Sequence, residues 1–320
     1  MFFVNKIRRK LPSPNPAKPT PAESALINQL RQQIAELPEL DLSEDASAAE
    51  KRWSTFRAEI RTQLLKNDPR EFLQFDVFRR TMFVDHPPYI ARELEELRRR
   101  ADWRSRWKPA IEESDKVFVP RCPYYWKSSG NLIHQAFHLA GLEHQTGMSL
   151  ERLQSVFEFG GGYGAMCKLF NRLGFAGTYS IFDLPELSIL QRFFLGLHGI
   201  PVRSVADSIG MNVHCISDLA EICNQDSEVA VDLFLATWSL SETPIEFRRK
   251  LLAKVNARFV LIAYQEMFED IDNARFFKQM MAANPDWKWQ NVHSPHLPGN
   301  EYYLVGVRQT AAKERGIVDK

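Results

Sequence analysis

Apolar residues in the first part of the chain recur at helical spacing. Leu26, Ile27, Leu30, Ile34 and Leu37 line one side of a segment that Pro38 ends. Trp53, Phe56, Ile60 and Leu64 do the same within residues 48–65. The phenylalanine-rich stretch 71–80 reads as a short helix after Asp68-Pro69. Pro87-Pro88 then introduces a helix over residues 89–107. Its Glu93, Glu95 and Glu96 precede Arg98, Arg99 and Arg100, the pattern of a solvated face with local ion pairs. Residues 22–147 are thus expected to form a mainly helical region, acting as a cap or an oligomerisation surface.

From Ser149 the period changes. Short runs rich in Val, Ile and Phe at 156–159, 179–182, 213–216, 231–236 and 259–263 alternate with helical stretches, the rhythm of a parallel sheet covered by helices. Two further runs, 287–293 and 302–307, are separated by Ser294-Pro-His-Leu-Pro-Gly-Asn-Glu301. A parallel crossover needs a dozen or more residues, so this last pair is expected to be antiparallel. The fold class is α/β: a mostly parallel seven-stranded sheet over residues 148–308 with an antiparallel C-terminal strand pair, preceded by the helical region. Residues 1–21 and 309–320 are expected to be tails.

The first strand runs into Glu158-Phe-Gly-Gly-Gly-Tyr-Gly164, with an amphipathic segment directly after it. Glycine suits a turn that brings backbone against a ligand, where a Cβ would clash. Such a turn also serves dinucleotides, and Gly160-x-Gly162-x-x-Ala165 fits that permissive pattern. Two acids favour a different ligand. A carboxylate at Glu158 would repel a pyrophosphate but suits the ammonium and sulfonium of S-adenosyl-L-methionine. Asp183 ends the next strand about 20 residues on, where an acid bonds a ribose hydroxyl in nucleoside-binding α/β folds. A helix N-cap ahead of Pro185 is the alternative for Asp183. The candidate cofactor set is Glu158, Gly160, Gly161, Gly162, Tyr163, Gly164, Asp183 and Leu184, with Ser217 or Asp218 toward the adenine and Thr237 and Trp238 beside the methyl group. Asp218 equally suits an N-cap for a helix starting near Leu219.

Turn, acids and strand order together give the architecture of a Rossmann-like class I methyltransferase. Within that class the sequence resembles the sugar O-methyltransferase family associated with bacterial surface glycans. The resemblance is carried by Phe157-Glu-Phe-Gly-Gly-Gly-Tyr-Gly164 with Tyr179-x-x-x-Asp-Leu-Pro185, by Ser239-Leu-Ser-Glu242, and by Pro298-Gly-Asn-Glu-Tyr-Tyr-Leu304. A fainter block is Ser128-Ser-Gly-Asn-Leu-Ile-His-Gln-Ala-Phe-His-Leu139. It covers roughly residues 115–308 and implies a sugar or glycan-precursor hydroxyl as methyl acceptor.

Methyl transfer to a hydroxyl needs the acceptor held in line, about 3 Å from the methyl carbon, and a base for its proton. His134 and His138 lie one helical turn apart, on one face. They are candidate bases or, alternatively, packed core histidines. His296, in the loop between the last two strands, and Glu242, after the strand flanking the methyl group, complete the candidate catalytic set. Glu242 also reads as a first-turn acid before Pro244. Tyr124, Tyr125, Trp126 and Trp238 are candidate sugar-stacking walls. His134-x-x-x-His138 lacks the zincin glutamate, no acidic cluster demands magnesium, and no metal is expected.

A net charge of +1 gives no general pull toward nucleic acid. No stretch approaches the roughly 18 apolar residues that span a bilayer, and the start places apolar residues before its charges, unlike a secretory signal. Cys122, Cys167, Cys215 and Cys223 show neither a C-x-x-C pair nor zinc spacing, in keeping with reduced thiols in the cytoplasm. A homo-oligomer through the N-terminal helices is the expected assembly. Three other readings stay open: a phenol or amine methyltransferase, an NAD-dependent oxidoreductase, and a non-catalytic methyltransferase-like subunit.

Overall fold

A computed structural model describes residues 17–40, 46, 48–85, 87–202, 211–218, 220 and 228–309. Residues 1–16, Cys223, Leu219 and residues 310–320, on which some of the expectations above fall, lie outside it. The N-terminal region is helical as expected: α1 (Pro21–Ala35), α2 (Ala48–Lys66), α3 (Asp76–Thr81), α4 (Tyr89–Arg99) and α5 (Gly130–Thr146). Helix α1 starts on a capping box, in which the Thr20 hydroxyl accepts from Glu23 N–H and the Glu23 carboxylate accepts from Thr20 N–H. Helix α5 is capped by the Ser129 hydroxyl and stopped by left-handed Gly147.

One expectation fails here. The helix predicted over 89–107 ends at Arg99, because Arg100 is extended and a π-turn follows at Trp103–Trp107. The break lets Trp107 enter the core with its indole N–H on Asp102, while Arg106 pairs with Glu143 of α5. A straight helix would leave that tryptophan outside.

The rest alternates: β1 (Ser155–Phe159), α6 (Ala165–Arg172), β2 (Thr178–Phe182), α7 (Pro185–Leu197), β3 (Asn212–Ile216), β4 (Val229–Thr237), α8 (Ile245–Lys254), β5 (Val255–Gln265), α9 (Asn273–Ala283), β6 (Trp287–His293) and β7 (Glu301–Arg308). The seven-stranded sheet has the order β3-β2-β1-β4-β5-β7-β6. β7 runs antiparallel between β5 and β6, with Ile262 opposite Leu304 and Asn291 opposite Leu304 on its two edges. This is the mostly parallel sheet with an antiparallel last pair that the sequence predicts. An all-parallel dinucleotide sheet would have continued in one direction.

Strand alternation sorts the two faces. Leu233 and Leu235 of β4 face the N-terminal helices, α6 and α7; Phe234 and Ala236 face α8 and α9. The N-terminal helices share one continuous apolar core with the sheet, from Ile27, Ile60 and Phe72 to Tyr179, Leu233 and Tyr303. Fully buried Glu186, at the start of α7, fastens α2 by ion pairs to Arg57 (2.8 Å) and Arg61 (2.6 Å). Among the described residues, no helix is long and apolar enough to cross a membrane. Cys122, Cys167 and Cys215 are free and buried.

Candidate active site

The chain reverses between β1 and β4, and a cavity of about 770 Å³ opens there at the strands' carboxyl ends. Its floor is the glycine turn. Gly160 and Gly162 have φ of +69° and +57°, and a Cβ on Gly160 would lie 2.2 Å from Ser239 Cβ. The Ser239 hydroxyl donates to Phe159 O at 2.6 Å, drawing the ends of β1 and β4 together under the turn. Gly160, Gly161, Gly162, Leu184, Ser217, Thr237 and Trp238 all line the cavity. Trp238 itself has φ of +69°, an unfavourable conformation for an aromatic residue, held by its N–H on Ala263 O and its carbonyl on Ser241.

Both acids also line the cavity, and both are buried. Glu158 is buried beneath the turn and accepts from the Tyr179 hydroxyl at 2.9 Å. Burial, opposed by that bond and reinforced by the Asp183 charge, pushes its pKa up to about 8. Asp183 accepts from Gly162 N–H and Leu184 N–H, both at 2.8 Å, and burial still raises it to about 7. It does not cap α7, whose N-cap is Leu184 with no side-chain bond. Three of the turn's donors are engaged: Gly160 N–H on Phe182 O, Gly162 N–H on Asp183, Gly164 N–H on Gly161 O. A pyrophosphate would find these backbone donors taken.

Three cofactor candidates sit away from the cavity or turn from it. Gly164 and Asp218 do not line it, and Asp218 accepts from Ala220 N–H in the capping manner that was its alternative. Tyr163 borders the cavity, but its ring packs against Phe72 and Phe194 and its hydroxyl accepts from Asn131.

Opposite the turn, α5 contributes His134, Gln135 and His138, β7 contributes Glu301, and the segment after β4 contributes Glu242. His134 Nδ1 lies 2.9 Å from both oxygens of Glu93, which is fully buried on α4. The His134 ring is parallel to the Trp238 indole, with centroids 6.5 Å apart. His138 is buried and pushed well below the usual histidine range by that burial; its Nδ1 has no partner among the described residues. Burial raises Glu242 and Glu301 to about 7 each. His296 does not line this cavity. Its Nε2 reaches Glu93 at 3.1 Å, and it borders a second cavity of about 210 Å³.

Glu93 is the residue that sequence reading misplaced. It was assigned to a solvated face, yet it shares the α4 stripe of Ile90, Leu94 and Leu97. An acid inside an apolar helical stripe was the available signal. Trp53, Asn131, Gln265 and Glu301 also line the cavity unforeseen, whereas exposed Tyr124 and Trp126 do not line it. Among the described residues, no group of three His, Cys, Asp or Glu side chains is arranged to hold a metal ion.

No family model matches the chain, and no curated protein does. Solved structures do. An O-methyltransferase from Bacillus cereus in complex with SAH is 10% identical, with a TM-score of 0.40 over 72% of this chain and 94% of that one. Magnesium protoporphyrin IX methyltransferase from Synechocystis, with bound SAM, is 12% identical, with a TM-score of 0.39 over 55% and 79%. A ribosomal protein L11 methylase from Lactobacillus delbrueckii is 18% identical, with a TM-score of 0.37 over 54% and 77%.

Proposed function

We propose that this chain is an S-adenosylmethionine-dependent O-methyltransferase acting on a hydroxyl of a sugar or glycan precursor, with His134 as the base. One observation carries the reading. The cavity floored by the Gly160–Gly162 turn and Asp183 is the cavity into which His134, backed by a buried carboxylate, opens. The turn fits the cofactor: a Cβ at Gly160 would strike Ser239, and Glu158 and Asp183 are buried acids without a cation partner.

In this reading Gly160, Gly161 and Gly162 lie against the methionine end, Asp183 holds the ribose, and Leu184 and Ser217 border the adenine. When bound, the cofactor supplies an electrophilic methyl group on a sulfonium. His134 takes the acceptor's proton, Trp53 and Trp238 flank the acceptor, and Glu242, Glu301 and Gln135 offer oxygens to its other hydroxyls. The N-terminal helices supply that wall, in keeping with a cap. The antiparallel last strand speaks against the NAD reading.

Calorimetry with S-adenosylhomocysteine and NADH, followed by tritiated methyl transfer onto sugars, nucleotide sugars and phenols, tests the proposal. Homocysteine-nucleoside binding and label on a sugar are expected. NADH binding alone would end the methyltransferase reading; label confined to phenols would end the sugar reading. His134→Gln should lower kcat about 10²-fold or more, with cofactor affinity kept.

A further inference from the structure

We propose that Glu93 and His296 are positioning residues for His134, so that the base is set only when the loop between β6 and β7 is seated on α4. The inference rests on the methyl-transfer reading above and adds how its base is controlled. Three separate segments meet at one carboxylate: α4 brings Glu93, α5 brings His134, and the loop brings His296. Glu93 is fully buried, and it offers only oxygens while it is ionised. Burial would raise its pKa, but the His134 and His296 contacts outweigh that and hold it below the usual carboxylate range.

An ionised carboxylate requires a hydrogen on each imidazole nitrogen that faces it. His134 is thereby fixed as the Nδ1–H tautomer, which leaves Nε2 with a lone pair for the acceptor. His296 is fixed with hydrogen on Nε2, so that nitrogen is not a base, and its ring borders the second cavity. As the acceptor oxygen bonds the methyl carbon and the carbon–sulfur bond breaks, the hydroxyl proton passes to His134 Nε2. The new imidazolium charge is then held by Glu93, which stays ionised. His296 donates to Oε1, one of the two oxygens that His134 Nδ1 faces. It keeps Glu93 oriented and tempers its pull on the His134 proton.

Other titratable groups around the cluster are Tyr89 from α4, His138 from α5, and Glu301 and Tyr303 from β7, and beside His296 the second cavity is bordered by His293 and by the Arg92–Glu96 ion pair of α4. Burial keeps both tyrosines and His138 neutral near pH 7; Glu301, raised to about 7, is a neighbour that titrates in the same range.

The pH profile of kcat separates positioning from packing. Glu93→Gln removes a negative charge from the imidazolium, so the acid limb moves down by about 1 unit or more, and kcat falls about 10²-fold. His296→Phe removes a donor from the carboxylate, so the limb moves up; His296→Asn, which keeps an N–H, returns it. Acceptor KM and S-adenosylhomocysteine affinity stay unchanged in all three. Limbs that do not move, or that move the same way in Glu93→Gln and His296→Phe, overturn the proposal. Should Glu93→Gln fail to fold, the His296 pair decides alone. An unmodified protein that neither binds S-adenosylhomocysteine nor transfers methyl groups overturns the underlying reading, and this proposal with it.

Discussion

Replacing Gly160 by alanine tests whether the turn is as tightly closed as its geometry indicates. At φ of +69° any side chain carries a left-handed penalty of about 1 kcal/mol. The new methyl would lie 2.2 Å from Ser239 Cβ and 2.4 Å from its hydroxyl, so something must shift. Overpacking of this kind costs about 2 kcal/mol, for a total near 3. Ser239→Gly alone should cost about 1.5 kcal/mol, from the lost bond to Phe159 O and the added backbone freedom. In the double variant the clash is gone. It should therefore be destabilised by about 2.5 kcal/mol rather than the additive 4.5, a coupling of about 2 kcal/mol. Urea unfolding followed by tryptophan fluorescence reads all four proteins. S-adenosylhomocysteine titration should show binding weakened by roughly tenfold or more in Gly160→Ala and partly recovered in the double variant, since 1.4 kcal/mol is a factor of ten. Additive costs within about 0.5 kcal/mol, or a Gly160→Ala protein as stable as the parent, would refute the closed-turn reasoning.

Three further outcomes follow from the described contacts. Glu158→Ala and Asp183→Ala should each abolish S-adenosylhomocysteine binding in calorimetry while leaving the far-ultraviolet spectrum intact; unchanged affinity in both would favour a non-catalytic subunit. Glu158 and Asp183 have folded pKa values of about 8 and about 7, above their ordinary values. The folded state thus holds protons that the unfolded chain releases, and ligand-free stability should fall as pH rises from about 5 to about 8. Urea midpoints across that range check this, and Glu158→Gln with Asp183→Asn should flatten the slope. Glu186→Gln, which unpairs Arg57 and Arg61, should cost about 2 kcal/mol, discounted from the buried-pair range because both arginines reach solvent. Glu186 is held below the usual carboxylate range by those arginines despite its burial, so the difference should persist through the ordinary carboxylate range and shrink only as pH falls through that lowered pKa.

Strand positions and the direction of the last pair were legible because short apolar runs and the short final connection leave few alternatives. Expected 287–293 coincides with Trp287–His293, and the antiparallel ending follows from loop length alone. The glycine turn and Asp183 were legible as neighbours, because local spacing puts both at the ends of adjacent strands, where they line one cavity. Glu93 was not, because its partners come from 41 and 203 positions away and only packing brings them together. Glu158 was legible as a position, but its burial and its bond to Tyr179 were not, because no local pattern reports them. The early end of α4 escaped for a similar reason, since a run of good helix formers was overridden by the indole of Trp107 seeking the core.

The shared core between the N-terminal helices and the sheet has a consequence for how this molecule can change. Among the described residues one core runs through both regions, so under the proposed function the helical wall assigned to the acceptor is not an exchangeable part. Grafting the corresponding helices from a relative would strip apolar cover from Tyr179, Leu233 and Tyr303 before it altered any preference. New acceptors are instead reached one side chain at a time, at rim positions such as Trp53, Gln135 and Glu242, where a substitution redraws the opening and leaves the interior intact.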